Sequence, residues 1–415
     1  MPILTPSTLS VVLSNAYQLA TKLLSAESAK AVKTVHTIIT RFSDHGVIDV
    51  FKLYPPKDVI ASILALAKLQ RVVAFVDEQE PGVAWEDRNV LQELAHYAVF
   101  ANAAYGWKMD LAFGGRINRS DLQTLLSRTG IEPDDVVHAD WESKTHRPAF
   151  FIVRDHKQKK IVLCIRGTLS ANDVLTDLCC TGEVFETGVK GIHKSHHGML
   201  EAARGVSEVA QQYITDELDS HPDYSLVLVG HSLGAGVASV LGSLWDKRFP
   251  DIVVYGFGMP CVGPLGALPT ISSNTISVIG EGDPFSRLSL GHIADLSMAI
   301  AHLCEQEELR VLIALRTDGP LQDLVRQDLD WCMCTMNDLR THMKGEKMFP
   351  PGRILYMKRS TSEATGEHTI TLRRVPPTHF QDLRLHPRML DISRHVPALY
   401  ETLLRKGWSD EGAEI

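Results

Sequence analysis

One short segment, Gly230-His231-Ser232-Leu233-Gly234, constrains the fold of this chain more than any other feature. It matches the pattern G-x-S-x-G. The apolar run at residues 225–229 leads directly into it, and the small residues at 235–239 lead out of it. This context predicts a sharp strand-to-helix turn that holds the serine in a strained conformation with its hydroxyl exposed. The glycines allow neighbouring backbone to pass where a side chain would clash. We therefore predict that Ser232 is a nucleophile, the alternative being an ordinary serine in a glycine-rich turn.

Strand-like and helical segments alternate through the middle of the chain. Two apolar runs, 150–153 and 161–165, flank a charged turn and predict a hairpin. Later apolar runs at 225–229, 252–255 and 275–279 are typical of buried parallel strands, and helical stretches at 198–218 and 234–247 lie between them. This alternation predicts the α/β class, with a largely parallel central sheet covered by helices on both faces.

The first 80 residues differ from this pattern and predict a helical N-terminal extension. Apolar residues from Leu9 to Leu24 fall on one helical face, and the polar turn at 76–82 is a candidate boundary. The apolar run at 59–67 is too short to span a bilayer, so we interpret it as a buried helix and predict no transmembrane helix. No signal peptide is predicted either.

A serine hydroxyl becomes an effective nucleophile only when an adjacent base takes its proton. In the fold that such a turn indicates, an acid follows a later strand and a histidine follows near the end. Asp283 lies just beyond the strand-like run at 275–279, at the carboxyl edge of the predicted sheet. Glu281 is a weaker alternative, and Asp251 precedes its strand. Four histidines follow the last strands (His368, His379, His386 and His395), and spacing favours His395 only slightly over His379.

Composition restricts the class of function. The formal net charge of −8 gives no electrostatic reason to expect nucleic-acid binding. The seven cysteines have neither the spacing of a disulfide framework nor that of a zinc site, which favours reduced thiols in a cytoplasmic protein. The histidines around His193 and His196 have no acidic or cysteine partner at ligand spacing nearby, so we predict no metal site and no required cofactor.

Several further segments carry a resemblance to a known family. They are Ala103-Ala104-Tyr105-Gly106-Trp107, Ile165-Arg166-Gly167-Thr168-Leu169-Ser170 with Asp173 and Asp177, His196-His197-Gly198-Met199, the Ser232 segment, Gly282-Asp283-Pro284-Phe285-Ser286-Arg287-Leu288, Phe349-Pro350-Pro351-Gly352-Arg353-Ile354 and Met389-Leu390 with His395-Val396-Pro397. Together they resemble the class 3 (fungal-type) lipases, and within them most closely the sn-1-specific diacylglycerol lipases. The resemblance covers about residues 91–404.

This resemblance implies an α/β-hydrolase domain over residues 85–408, preceded by the extension at 1–80. It implies a catalytic triad of Ser232, Asp283 and His395, and an oxyanion hole formed by the backbone N–H groups of Leu233 and Thr168. Residues 291–347 contain two apolar helical patterns and are a helical insertion, either a lid or part of the core. The chain departs from the family in Arg394, where an acidic residue often precedes the histidine, and in the absence of predicted membrane-spanning helices before the domain.

The expected activity is hydrolysis of a fatty-acyl ester of diacylglycerol or a related acylglycerol. Triacylglycerol lipase, phospholipase A1 and general carboxylesterase are alternatives within enzymes, and a catalytically silent lipase-like signalling or binding protein is the alternative from another class. The expected partner is a lipid ester at a membrane or droplet surface, with no nucleic acid. The expected location is cytoplasmic, with peripheral membrane attachment as an option. Calcium dependence and oligomeric state are left open.

Overall fold

The computed structural model describes residues 25–79, 81–112, 120–168, 182–186, 192–271, 274–361, 368–385 and 392–410. The chain divides into two units. The first comprises Met1–Pro81, Ser289–Lys347 and Gln381–Leu390, and the second comprises Gly82–Leu288, Met348–Phe380 and Asp391–Ile415. The predicted face from Leu9 to Leu24 lies outside the described residues, as do Asp173, Asp177 and His386.

The second unit is built on a central sheet. Its described strands are β1 (Val83–Ala84), β2 (Val136–Asp140), β3 (Phe150–Asp155), β4 (Lys160–Ile165), β7 (Ser225–His231), β8 (Val253–Phe257), β9 (Thr275–Gly280), β10 (Arg353–Thr361) and β11 (His368–Val375). Their order is β1-β11-β10-β9-β8-β7-β4-β3-β2. The five central strands, β10, β9, β8, β7 and β4, are mutually parallel. Two further strands at each edge of the sheet pair antiparallel. A separate antiparallel pair is formed by β5 (Gly182–Glu186) and β6 (Ile192–His196). The predicted fold class is therefore confirmed.

Helices cover both faces of this sheet. They are α4 (Arg88–Ala103), α5 (Gly106–Ala112), α6 (Asp121–Thr129), α7 (His197–Ser220), α8 (Leu233–Trp245), α9 (Leu268–Ile271) and α13 (Pro397–Asp410). Alternate strand residues point to opposite faces. Val229, Tyr255 and Phe257 therefore share one buried cluster with residues of α4 and α13. Val254 faces the other way, where it packs closely against Gly242 of α8.

The first unit is helical. It contains α1 (Ala26–Phe42), α2 (Val50–Leu53), α3 (Pro56–Asp77), α10 (Leu290–Glu305), α11 (Glu307–Arg316) and α12 (Arg326–His342). Helix α3 packs against α10, α11 and α12, and Arg310 of α11 forms an ion pair with Asp58 of α3 at 3.1 Å. Within the described part of the chain, α3 is the one helix long and apolar enough to cross a membrane, and 56% of its most apolar stretch is buried in the fold.

Three helices lie in the stretch where the sequence patterns predicted two. Helix α11 was not predicted because three of its large apolar residues, Val311, Leu312 and Leu315, are exposed, and Ile313 alone does not give a regular apolar face. The domain boundaries at 80 and 85 and the role of residues 291–347 as a lid stay predictions.

Candidate active site

Ser232 lies at the predicted turn between β7 and α8, but the prediction of an exposed hydroxyl is wrong: the residue is 1% exposed and its Oγ is buried. Its backbone has φ 58°, a left-handed value that non-glycine residues rarely adopt and that costs energy. The turn is fixed by the Ser232 N–H, which donates to the carbonyl of Phe257 at 2.9 Å. A Cβ at Gly230 would lie 2.6 Å from the nitrogen of Ala235, and one at Gly234 would lie 2.8 Å from the carbonyl carbon of Arg166. The glycines are therefore required by close backbone approach.

Asp283 lies beyond the carboxyl end of β9 and is only 5% exposed. Its Oδ1 accepts a hydrogen bond from the N–H of Phe285 at 2.9 Å. Its Oδ2 contacts Nδ1 of His395 at 2.7 Å and accepts the hydroxyl hydrogen of Tyr400 at 2.5 Å. Of the candidate acids, Asp283 is the one that meets a candidate histidine. The side chain of Glu281 accepts the N–H of Arg359, and Asp251 is exposed ahead of β8.

His395 is 3% exposed and lies just before α13. Because a carboxylate only accepts hydrogen bonds, its contact with Asp283 places the ring hydrogen on Nδ1 and leaves the lone pair on Nε2. Within the described residues, both His395 Nε2 and the buried Oγ of Ser232 have no hydrogen-bond partner. The ring of Phe285 packs edge-on against the imidazole at a centroid distance of 4.3 Å. This arrangement presents a free imidazole base inside a site that water reaches poorly.

Two other candidate histidines, His368 and His379, lie elsewhere in the described part of the chain, and His386 lies outside it. His379 packs against Tyr356 and Phe380, and His368 begins β11. His196 caps the N-terminus of α7, where its Nδ1 accepts the N–H of Met199 at 3.3 Å. Among the described residues, no group of three or more His, Cys, Asp or Glu side chains is arranged to hold a metal ion.

The predicted oxyanion residues flank Ser232 on two sides. Leu233 is the first residue of α8, directly after the serine. Thr168 follows β4, and the preceding residue lies against the serine, since a Cβ at Gly167 would be 3.2 Å from Cβ of Ser232. The structure therefore brings both segments to the serine, and their roles in binding an oxyanion stay predictions.

Sequence reasoning missed two groups that hold this site, Tyr400 and His231. Tyr400 lies on α13 five residues after His395, and its hydroxyl accepts the N–H of Gly280 at 2.9 Å while it donates to Asp283. Burial and the neighbouring carboxylate raise the pKa of Tyr400 well above its ordinary value, so the hydroxyl keeps its hydrogen. For Tyr400, the only signal in the sequence is that this tyrosine falls on the apolar face of the last helix.

Parts of this chain are similar in sequence to known lipases. Residues 162–291 match the family model described as lipase (class 3). Diacylglycerol lipase-beta of Mus musculus is 28% identical over 66% of this chain and 48% of its own length. Diacylglycerol lipase-alpha of Homo sapiens is 24% identical over 64% of this chain and 31% of its own length. The chain thus spans less than half the length of these relatives.

Solved lipase structures are similar to about half of the chain. The triacylglyceride lipase of Rhizomucor miehei aligns over 49% of this chain and 76% of its own, with a TM-score of 0.41 and 19% identity. The lipase of Rhizopus microsporus var. chinensis aligns over 48% of this chain and 69% of its own, with a TM-score of 0.39 and 24% identity.

Proposed function

We propose that this chain is a serine lipase that hydrolyses a fatty-acyl ester of diacylglycerol or a related acylglycerol, since its residues 162–291 match the class 3 lipase family model. The observation that carries the proposal is the buried Asp283–His395 pair, whose free Nε2 belongs to the same site as the strained Ser232. Fold alone would not support an activity, because the same architecture serves many functions.

In the proposed first step, Oγ of Ser232 attacks the ester carbonyl carbon while Nε2 of His395 takes the hydroxyl proton. The new C–O bond gives a tetrahedral intermediate, and His395 then delivers that proton to the leaving alcohol oxygen as the ester C–O bond breaks. Asp283 holds Nδ1–H and stabilises the imidazolium that forms. Since Oδ2 of Asp283 also accepts from Tyr400, the carboxylate is held in one orientation throughout.

In the proposed second step, water attacks the acyl-enzyme on Ser232. His395 takes one proton from this water and returns it to Oγ as the fatty acid leaves, which restores the starting enzyme. In both steps negative charge develops on the former carbonyl oxygen. We assign its binding to the N–H groups of Leu233 and Thr168, with the Thr168 hydroxyl as a further donor. One such donor typically lowers the barrier by about 3–4 kcal/mol.

The names of two relatives, both diacylglycerol lipases, support the proposed substrate class. We expect emulsified diacylglycerol to be hydrolysed at least about tenfold faster than triacylglycerol, phosphatidylcholine or a short-chain chromogenic ester. Recognition of a single chemical group of the substrate can supply about a tenfold difference in rate. The measurement is fatty-acid release from each substrate, presented at a membrane-like or droplet-like surface, together with labelling by a fluorophosphonate. A faster reaction with triacylglycerol or phospholipid would reassign the substrate. A folded protein that neither turns over any ester nor reacts with the probe would instead be a lipase-like binding protein.

Gly258 offers a test of the His395 position that leaves the triad intact. Its φ is 56°, and a Cβ there would lie 2.8 Å from Cε1 of His395 and 3.1 Å from Nε2 of His231. We therefore expect Gly258→Ala to lower kcat on a soluble ester by about 10²-fold, because a displacement of about 1 Å can have this effect. The matched control is Gly266→Ala, where an added Cβ meets nothing within 4 Å. Equal activities of the two variants would contradict the placement of His395.

A further inference from the structure

His231, the residue before Ser232, is 2% exposed and uses both ring nitrogens in hydrogen bonds. Its Nδ1 lies 2.8 Å from the hydroxyl oxygen of Tyr105, and its Nε2 lies 2.5 Å from the backbone carbonyl oxygen of His395. The G-x-S-x-G pattern leaves this position unspecified, and the proposed reaction does not use its ring. A buried imidazole with two partners at this position calls for a physical explanation.

The partners decide where each hydrogen lies. A carbonyl oxygen only accepts, so Nε2 of His231 carries the ring hydrogen and donates it to His395. Nδ1 therefore has the lone pair and accepts the hydroxyl hydrogen of Tyr105. The Tyr105 hydroxyl also packs against Gly167, where an added Cβ would lie 2.4 Å from its oxygen. The hydrogen bonds thus run in one direction, from Tyr105, which lies against Gly167, through His231 to the backbone of His395.

The ionisation of these groups fits that direction. Burial, and then the neighbouring His395, hold the pKa of His231 well below its ordinary value. Burial raises the pKa of Tyr105, although the nearby Arg166 opposes that effect. Around His231 the titratable neighbours are Tyr105, His395 and, at a ring-centroid distance of 5.7 Å, Tyr400. A neutral His231 can accept from Tyr105, and it does not repel the imidazolium that the proposed mechanism forms on His395.

The chain of hydrogen bonds joins three separate segments. Gly167 precedes Thr168, the proposed oxyanion residue, and its backbone lies against Ser232. His231 precedes Ser232 itself, and the last acceptor belongs to His395. Reacting groups must be held within about 0.5 Å of their productive positions by supporting residues for full activity. Each end of this chain of hydrogen bonds therefore contacts a segment whose position the reaction depends on.

We propose that Tyr105 and His231 are positioning residues, which fix the backbone of His395 and the Gly167–Thr168 turn relative to Ser232 through this one-directional chain of hydrogen bonds. The inference rests on the proposed ester hydrolysis by Ser232. It assigns no bond-making step to either side chain. Their removal should therefore affect the chemical step and leave substrate binding and overall folding largely unchanged.

The test compares Tyr105→Phe with Tyr255→Phe. Tyr255 is also buried in the same unit, and its hydroxyl donates to Glu93, so the control removes a buried hydroxyl outside the chain of hydrogen bonds. On a soluble short-chain ester we expect Tyr105→Phe to lower kcat by about 10- to 100-fold with KM within about threefold. Labelling of Ser232 by a fluorophosphonate should slow in parallel. Tyr255→Phe should stay within about twofold of wild type in both measurements, and the two variants should have similar melting temperatures.

His231 variants provide a second measurement that does not depend on the tyrosine. His231→Gln retains an amide N–H that can reach the His395 carbonyl, whereas His231→Leu leaves that carbonyl without a donor. We expect the glutamine variant to keep at least about tenfold more activity than the leucine variant. Adding Tyr105→Phe to His231→Leu should lower the activity little further, because the chain of hydrogen bonds is already interrupted at His231.

The outcomes separate this inference from the proposed function. An active wild type in which Tyr105→Phe behaves like Tyr255→Phe, or changes only KM or melting temperature, would overturn the positioning role alone. Equal activities of the His231→Gln and His231→Leu variants would do the same. A wild type that neither hydrolyses esters nor reacts with the probe would overturn the proposed function, and the positioning role with it.

Discussion

Ser232→Ala is expected to lower ester hydrolysis by at least about 10⁴-fold, the loss typical when the nucleophile of a serine hydrolase is removed. The hydroxyl is the atom that would form the acyl-enzyme, and in the described residues Oγ has no hydrogen-bond partner whose loss could destabilise the fold. Alanine at φ 58° is strained much as serine is, so the turn should persist. The measurement is hydrolysis of diacylglycerol and of a chromogenic ester, with labelling by a fluorophosphonate.

The matched control for this change lies on the helix that follows. Ser239→Ala makes the same substitution at a buried serine of α8 whose hydroxyl donates to the carbonyl of Gly236 at 2.8 Å. We expect this control to lose no more than about 1 kcal/mol of stability, the net value of one hydrogen bond, and to keep its activity. If Ser232→Ala retained hydrolysis or labelling comparable to Ser239→Ala, Ser232 could not be the nucleophile.

The serine turn could be predicted because its determinants are local. An apolar strand, two glycines and a small-residue helix lie within 20 residues of Ser232, and each acts through its own backbone geometry. Asp283 was predictable for a related reason, since a residue just beyond a parallel strand lies at the carboxyl edge of the sheet. The helix and strand runs around them agree with the observed elements to within a few residues.

The remainder of the site depends on contacts between distant parts of the chain. Asp283 and Tyr400 are 117 positions apart, and His231 and His395 are 164 positions apart. Local hydrophobic patterns do not indicate which distant residues come into contact. Spacing alone left four histidines open, and the family resemblance favoured His395. The structure adds the physical basis, because among the candidate histidines that it describes, His395 is the one whose Nδ1 meets a buried carboxylate.

The direction of the hydrogen bonds at His231 could not be predicted from the sequence. It follows from a carbonyl that only accepts and from Tyr105, which lies in the turn between α4 and α5. Tyr105 was recognised in the sequence as part of a family resemblance and without a chemical role. Its contact with His231 supplies a physical reason for a tyrosine at that position.

Asp283→Asn is expected to lower kcat by about 10⁴-fold, with KM and melting temperature much less affected. The asparagine amide can donate a hydrogen bond to Nδ1 of His395, which would move the ring hydrogen to Nε2. His395 would then have no lone pair facing the serine and could not accept its proton. The side chain keeps nearly the same shape and its oxygen can still accept the N–H of Phe285, whereas the Tyr400 hydroxyl must turn its hydrogen away from the amide.

Glu281→Gln is the control, because Glu281 is the alternative acid two residues away and its side chain faces the N–H of Arg359 instead of a histidine. We expect this variant to keep its activity within about twofold, since removing a partly exposed charge outside the site changes little. Hydrolysis of one soluble ester by both variants at a single pH is the deciding measurement. A large loss in Glu281→Gln together with a small loss in Asp283→Asn would transfer the role of the acid to Glu281. A small loss in both would mean that neither carboxylate orients His395, because the tautomer argument requires a large loss wherever the true acid is neutralised.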